Sequence, residues 1–126
     1  MDVSCVIFAK TVEHLVQFYQ PVLGADIVEA AKSHTVLAHA TGDLVIHAIP
    51  AAVAKKITLA DPPEPRSSAA IKPVFTIDSL QRVYSVAQAA GGAMKSLDSA
   101  WDIRGFLVVD GWDPEGNVVQ FKQRKQ

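Results

Sequence analysis

The chain has 126 residues, 49% of them hydrophobic and 20% charged, with a formal net charge of −1. One domain-sized core is expected, and so even a charge balance excludes recruitment to nucleic acid or an anionic membrane by bulk electrostatics. The single cysteine, Cys5, excludes an internal disulfide and fits a reducing, cytoplasmic setting; no apolar run approaches a bilayer span, and Asp2 stands where a secretory leader would carry Lys or Arg.

In chain order, residues 3–9 form an apolar, β-branched run that predicts a buried strand, with Cys5 as one of its small hydrophobes. Thr11 offers an N-cap hydroxyl to a helix on which Val12, Leu15, Val16, Tyr19 and Leu23 recur on one face, and Gly24 supplies a left-handed stop. Three shorter β signals follow at 26–30, 34–40 and 44–49, with Thr41, Gly42 and Asp43 as the turn between the last two. Residues 50–70 are rich in Ala and Pro and read as an extended linker, serving as a lid or arm, with a short helix near 53–57.

The same grammar then returns. Residues 71–77 read as a strand, Asp78 and Gln81 as a capping box, and Leu80, Val83, Tyr84, Ala87 and Ala90 as a second helical stripe ended by Gly91 and Gly92. Strand signals recur at 93–97, 106–110 and 117–122. The last two are joined by Asp113, Pro114, Glu115 and Gly116, where Pro presets φ and Gly accepts a positive one. The basic end, Lys122, Arg124 and Lys125, reads as a solvated tail.

The two stop glycines, Gly24 and Gly92, lie 68 residues apart, which indicates two related units and not a solenoid. The fold class expected is α+β: two paired βαβββ modules, about 1–50 and 71–126, joined by a linker of about 51–70 within one domain spanning 1–126. Neither module can bury both faces of a small sheet. Pairing them edge to edge with helices outside curves the free faces into one cup-shaped mixed sheet.

At these residues the chain resembles the vicinal oxygen chelate superfamily, which includes glyoxalase I, extradiol dioxygenases, fosfomycin resistance enzymes and bleomycin resistance proteins. The run from Thr11 to Gly24, ending Phe18-Tyr19-Gln20-Pro21-Val22-Leu23-Gly24, is similar to that family's first-helix pattern. The segment from Asp113 to Phe121 resembles its Asp-Pro-x-Gly-Asn hairpin, and Trp101 to Gly105 resembles its approach to the penultimate strand.

Catalytic members of the family hold a divalent ion on the concave face. Carrying their ligand positions over implies Ser4, fourteen residues before Phe18, then His47, Lys72, and Gln120, four residues after Gly116. This set is a poor cage: Lys72 is a donor-only ammonium, Ser4 is a weak ligand, and only His47, with Gln120 second, presents a useful donor. His34 shares the face of His47, diagonally across the hairpin, whereas His39 points the other way and His14 lies on the surface. No cofactor is therefore expected; a divalent metal held by His47 and Gln120 is the alternative.

Inward parity with the ligand positions selects Ser4, Val6 and Phe8, then Val45, His47 and Ile49, then Lys72, Val74 and Thr76. This is a mostly apolar wall with a few polar groups, as small-molecule sites have, although Val6, Phe8, Val45 and Val74 serve equally well as plain core. Trp101 with Arg104 is expected to grip a planar or anionic ligand, and Trp112 to cap the hairpin. Lys72 is either a solvated strand-edge charge or a replacement for the metal's positive charge, binding a carboxylate or enolate.

The resemblance implies a homodimeric small-molecule-binding protein that holds an apolar or aromatic ligand between its modules, with no nucleic-acid or membrane partner. The alternative is a glyoxalase, lyase/isomerase or dioxygenase-like enzyme acting on a small carbonyl or carboxylate, with His47 as base or sole strong ligand and Lys72 as electrophile. An interaction protein without a small-molecule site is a third class. No nucleotide-binding glycine loop, nucleophile elbow or zinc-protease motif is present.

Overall fold

Alternation of buried and bare side chains defines the first strand, β1 (Cys5–Ala9): Ile7 and Ala9 are buried, while Val6 and Phe8 on the other face are exposed. The computed structural model describes residues 3–40 and 42–126. Helix α1 (Val12–Leu23) buries Leu15, Phe18, Tyr19, Val22 and Leu23, and Gly24 closes it at φ +64°. Thr11 occupies the N-cap, but its hydroxyl caps nothing. Instead the carboxylate of Glu115 accepts the backbone N–H groups of Lys10 and Thr11, each at 2.8 Å.

Strands β2 (Asp26–Ala30), β3 (His34–His39) and β4 (Gly42–Ala48) complete the first sheet in the order β1-β4-β3-β2, with β1 parallel to β4 and the other pairs antiparallel. The expected turn at Thr41, Gly42 and Asp43 comes earlier: Gly42 already pairs with His39, and Thr41 lies outside the described residues. Gly42 serves close approach, since a Cβ there would stand 1.6 Å from the Val3 carbonyl oxygen.

The linker opens with a single helical turn, α2 (Ala51–Ala54), and is then strapped down. The Lys10 ammonium donates to the Ile57 carbonyl, the Trp112 indole to Pro63 O at 3.2 Å, and the Arg66 amide to Gly116 O at 2.9 Å. These bonds anchor the segment against the final hairpin, so it is not a free lid over the cup.

The second module repeats the first. Strand β5 (Val74–Thr76) is shorter than the expected 71–77, because Pro73 has no N–H to donate to the ladder. Helix α3 (Leu80–Ala89) is capped by Ser79, whose Oγ accepts from Arg82 N at 3.2 Å, and not by an Asp78–Gln81 box. Asp78 instead pairs with the Arg82 guanidinium at 2.7 Å, which also donates to Pro21 O and Val22 O at 3.0 Å each. One side chain thus joins the start of α3 to the end of α1. Leu80, Val83 and Ala87 are buried as the stripe requires, whereas Tyr84 is 40% exposed.

Strands β6 (Ala93–Met94), β7 (Trp101–Ile103), β8 (Phe106–Trp112) and β9 (Val118–Arg124) finish the second sheet. Its order is β5-β9-β8-β6, and β7 pairs with the other half of β8. β6 and β7 are therefore one edge strand interrupted by the 3-10 turn Leu97–Ser99, and each module shows the same strand order. β9 runs on to Arg124, so Lys122 and Arg124 belong to a paired strand and not to a solvated tail.

Both helices lie on one side of this curved α+β arrangement and share one core with both sheets, including Ile7, Phe18, Ile46, Val83, Val109 and Phe121. At its edge the fully buried Asp113 accepts the Tyr19 hydroxyl at 2.7 Å, the Asn117 amide NH2 at 2.8 Å, and the backbone N–H groups of Glu115 and Asn117 at 2.8 and 3.0 Å. Burial raises the Asp113 pKa above the usual carboxylate value although these donors oppose it, and burial followed by the nearby Asp113 charge lifts that of Tyr19 well above its ordinary value.

Tyr19→Phe should cost about 1–3 kcal/mol in urea denaturation, and Asp113→Asn more, because an amide NH2 would face donors that need an acceptor. Since the folded state holds the Asp113 proton more tightly than the unfolded chain, its contribution is fully present below the ordinary carboxylate pKa and lost as pH rises through the raised folded value. Asp113→Asn should remove that part of the pH dependence.

Candidate functional site

β1 and β5 end their respective sheets, and no ladder joins them. Along this seam opens a cavity of about 660 Å³ to which both modules contribute. Its floor is the back of the core, Cys5, Leu23, Leu44 and Phe75, and its apolar sides include Val3, Val6, Ile71 and Val74. Ser4, His39, Asp43, Thr76 and Lys122 supply its polar groups. Of the sequence-predicted residues, Ser4, Val6, Val74 and Thr76 line this cavity; the Ser4 hydroxyl accepts the Asp43 amide at 3.5 Å.

Phe8 and His47 occupy the same sheet face further along, and Val45 is level with Val6 but one strand inward on β4; all three are outside the cavity lining. The register sets them apart: Cys5 is level with Leu44 and Phe8 with His47. Ser4 is four residues from Phe8, which places it about 13 Å along the strand from the level of His47.

His47 Nδ1 lies 2.9 Å from its neighbour's carbonyl, Ala48 O. A carbonyl only accepts, so Nδ1 is the donor in this contact, and in the neutral tautomer that leaves Nε2 as the acceptor nitrogen. The ring packs on Phe8 at 5.6 Å and stacks on His34 at 5.8 Å and 7°. His34 is directly opposite His47 and not diagonal, because the β3–β4 turn is one residue earlier than expected. The carboxylate of Glu29 holds His34 Nε2; the register shift between Ile27 and Glu29 in β2 brings it there, and no sequence periodicity signalled it.

The second module brings Lys72 and Gln120 together through a residue that the sequence reading missed. Asp110 Oδ2 lies 3.0 Å from Lys72 Nζ, and its Oδ1 accepts Gln120 Nε2 at 3.2 Å. The available signal was a lone carboxylate at the end of an apolar run, level with Gln120 in the β8–β9 register. Lys72 is thus a paired cation, outside the cavity lining.

Trp101 and Arg104 do not form a clamp over the cavity. Trp101 is 42% exposed on β7, paired with Val108, and Arg104 sits at φ +50° in the turn after Ile103. Trp112 ties the hairpin to the linker. Cys5 is half-buried in the cavity wall, and burial raises its thiol pKa, which is opposite to what a nucleophile needs. Lys122 and Arg124 both stand over the Phe106 ring, at 4.4 and 4.9 Å from its centroid.

The four positions carried over by resemblance from catalytic, metal-holding members do not fit a divalent ion here. Ser4 and His47 are at different levels of the sheet, Lys72 contributes positive charge, and the nearby Asp110 is already engaged by Lys72 and Gln120. Among the described residues, no group of three or more His, Cys, Asp or Glu side chains is placed to hold a metal ion.

The family model for the glyoxalase/bleomycin resistance protein/dioxygenase superfamily matches residues 3–121. No curated protein matches. Similar solved structures include a glyoxalase/bleomycin resistance protein/dioxygenase family enzyme from Burkholderia phytofirmans PsJN, at 21% identity, TM-score 0.71, covering 98% of this chain and 99% of that one. A glyoxalase/bleomycin resistance protein from Albidiferax ferrireducens T118 matches at 16% identity and TM-score 0.69, covering 96% of each chain. The fosfomycin resistance protein FosX from Mesorhizobium loti matches at 11% and 0.65, covering 98% of this chain and 90% of that one. At such identities the likeness is one of fold.

The Cys5 environment yields a direct check. At neutral pH this thiol should react with a disulfide reagent more slowly than free cysteine, because burial raises its pKa and less thiolate forms. A rate equal to that of free cysteine, followed by absorbance of the released thiolate, would contradict the placement of Cys5 in the wall.

Proposed function

This chain belongs to the glyoxalase/bleomycin resistance protein/dioxygenase superfamily, and we propose that it is a small-molecule-binding member that encloses one apolar or aromatic ligand between its modules without a catalytic metal. The observation that carries this reading is the cavity of about 660 Å³ at the seam, within the range of small-molecule sites. Val6 and Val74, at 52% and 47% exposure, leave apolar surface bare on its opposite sides. A ligand that covers such surface gains about 25 cal/mol per Å².

We extend the reading to a cytoplasmic homodimer, as the resemblance implies. No helix among the described residues is long and apolar enough to cross a membrane.

One observation favours a second reading, an enzyme acting on a small carbonyl or carboxylate substrate. The Nδ1 contact of His47 with Ala48 O turns Nε2 away from the backbone as the nitrogen a general base would use in the neutral ring. Lys72 is less suited to act as the electrophile, because Asp110 already neutralises it.

Val6→Asp and Val74→Asp separate binding from folding. Both sites are half bare, so each variant should keep its thermal midpoint within a few degrees, yet lose the stabilisation that a hit from a screen of apolar aromatic compounds gives the wild type. At a ligand concentration one hundred times Kd that stabilisation is about 2.7 kcal/mol. Equilibrium dialysis against Mn²⁺, Ni²⁺ and Zn²⁺ should leave well under one ion per chain; one tightly held ion, lost in His47→Ala, would overturn the metal-free reading. Turnover of a carbonyl substrate abolished by His47→Ala would favour the enzyme.

A further inference from the structure

We infer that the cavity's ligand carries one anionic group and that Lys122, not Lys72, receives it; this deepens the binding reading above and rests on it.

The placement of the cations makes the argument. Lys72, Arg82 and Lys125 are each neutralised, by Asp110, Asp78 and Asp102. Among the described residues, no carboxylate lies within ion-pair distance of Lys122, and Lys122 is the one cationic residue in the cavity lining. Lys122 is level with Thr76 of β5 and both residues line the cavity, while the lysine's ammonium lies over Phe106 on β8, the other neighbour of β9. Arg124, two residues on and therefore on the same face of β9, is likewise without a carboxylate partner among the described residues.

Phe106 holds the two cations together. Lys122 Nζ and the Arg124 guanidinium share its ring, at 4.4 and 4.9 Å. The ring's π face attracts each of them but cannot cancel their mutual repulsion, whereas an anion at Lys122 would. This convergence places positive charge at the β9 end of a hollow whose carboxylate, Asp43, is on β4.

The far wall fixes the ligand's direction. Asp43, the carboxylate of the lining, belongs to β4, and its amide bonds Ser4. A negative group is repelled from that side and drawn to β9, which lays the ligand's apolar body across Val6 and Val74. The class recognised is thus a small aromatic or branched monoanion such as a carboxylate. A neutral hydrocarbon leaves Lys122 uncompensated, and a dication meets it head-on.

Two dyes of similar apolar bulk test this: 8-anilinonaphthalene-1-sulfonate, which carries one anionic group, and N-phenyl-1-naphthylamine, which carries none, each titrated by fluorescence. Lys122→Gln should weaken the sulfonate about tenfold, the loss of one charge-assisted contact, and change the neutral dye by less than about twofold. Lys122→Arg should restore the sulfonate. Lys125→Gln removes the same charge away from the cavity and should leave both affinities within about twofold, while Val6→Asp should weaken both dyes. If Val6→Asp weakens both but Lys122→Gln weakens neither, or if Lys125→Gln matches its effect, the cavity stands as a ligand site and the anion assignment is overturned. If Val6→Asp affects neither dye, the binding reading itself falls, and this inference with it.

Discussion

A single buried carboxylate joins the two halves of this chain. Asp113 accepts the Tyr19 hydroxyl from the helix of the first module and three N–H bonds from its own turn in the second. Glu115 in the same turn accepts the amides that lead into α1. The turn thus fixes the first helix at its beginning and middle, and Arg82 fixes its end. An acceptor-only group is the natural choice at such a point, because every neighbour that reaches it is a donor.

That constraint matters because the strands at the seam do not hold each other. β1 and β5 face one another without a ladder, so their separation is set by the packing behind them. Tyr19 shows the coupling: its ring lies 5.9 Å from Phe75, a cavity-floor residue, while its hydroxyl engages Asp113. A rigid back and an unzipped front leave a hollow that a ligand can fill without breaking backbone hydrogen bonds.

The repeat was legible in the sequence because glycine stops, helical stripes and a Pro-Gly turn are local signals, each with its own physical cause. Inward parity was legible in part: Ser4, Val6, Val74 and Thr76 reach one cavity as alternation required, but so do Val3, Cys5, Leu44 and Phe75 of the opposite parity, because the cavity opens at the strand edges of the seam. Level along a strand was not. Whether Ser4 meets His47 depends on the β1–β4 register, which pairs Phe8 and not Ser4 with His47 and which no local residue pattern announces. Asp110 and Glu29 were invisible for a related reason, since a strand pairing carries one to Lys72 and a register irregularity carries the other to His34. The tail reading of Lys122 and Arg124 failed because charge alone does not report that β9 continues through them.

The pairing of Lys72 with Asp110 has a consequence for how proteins of this shape diversify. The ammonium keeps the Asp110 carboxylate balanced beside Gln120. Replacing that one amine with a neutral side chain would reverse the sign of this patch and leave two oxygen-bearing groups side by side, with no strand, turn or core residue disturbed. The charge of this stretch of the second sheet is thus set at one exposed position, which makes it an inexpensive place for electrostatics to change while the architecture stays still.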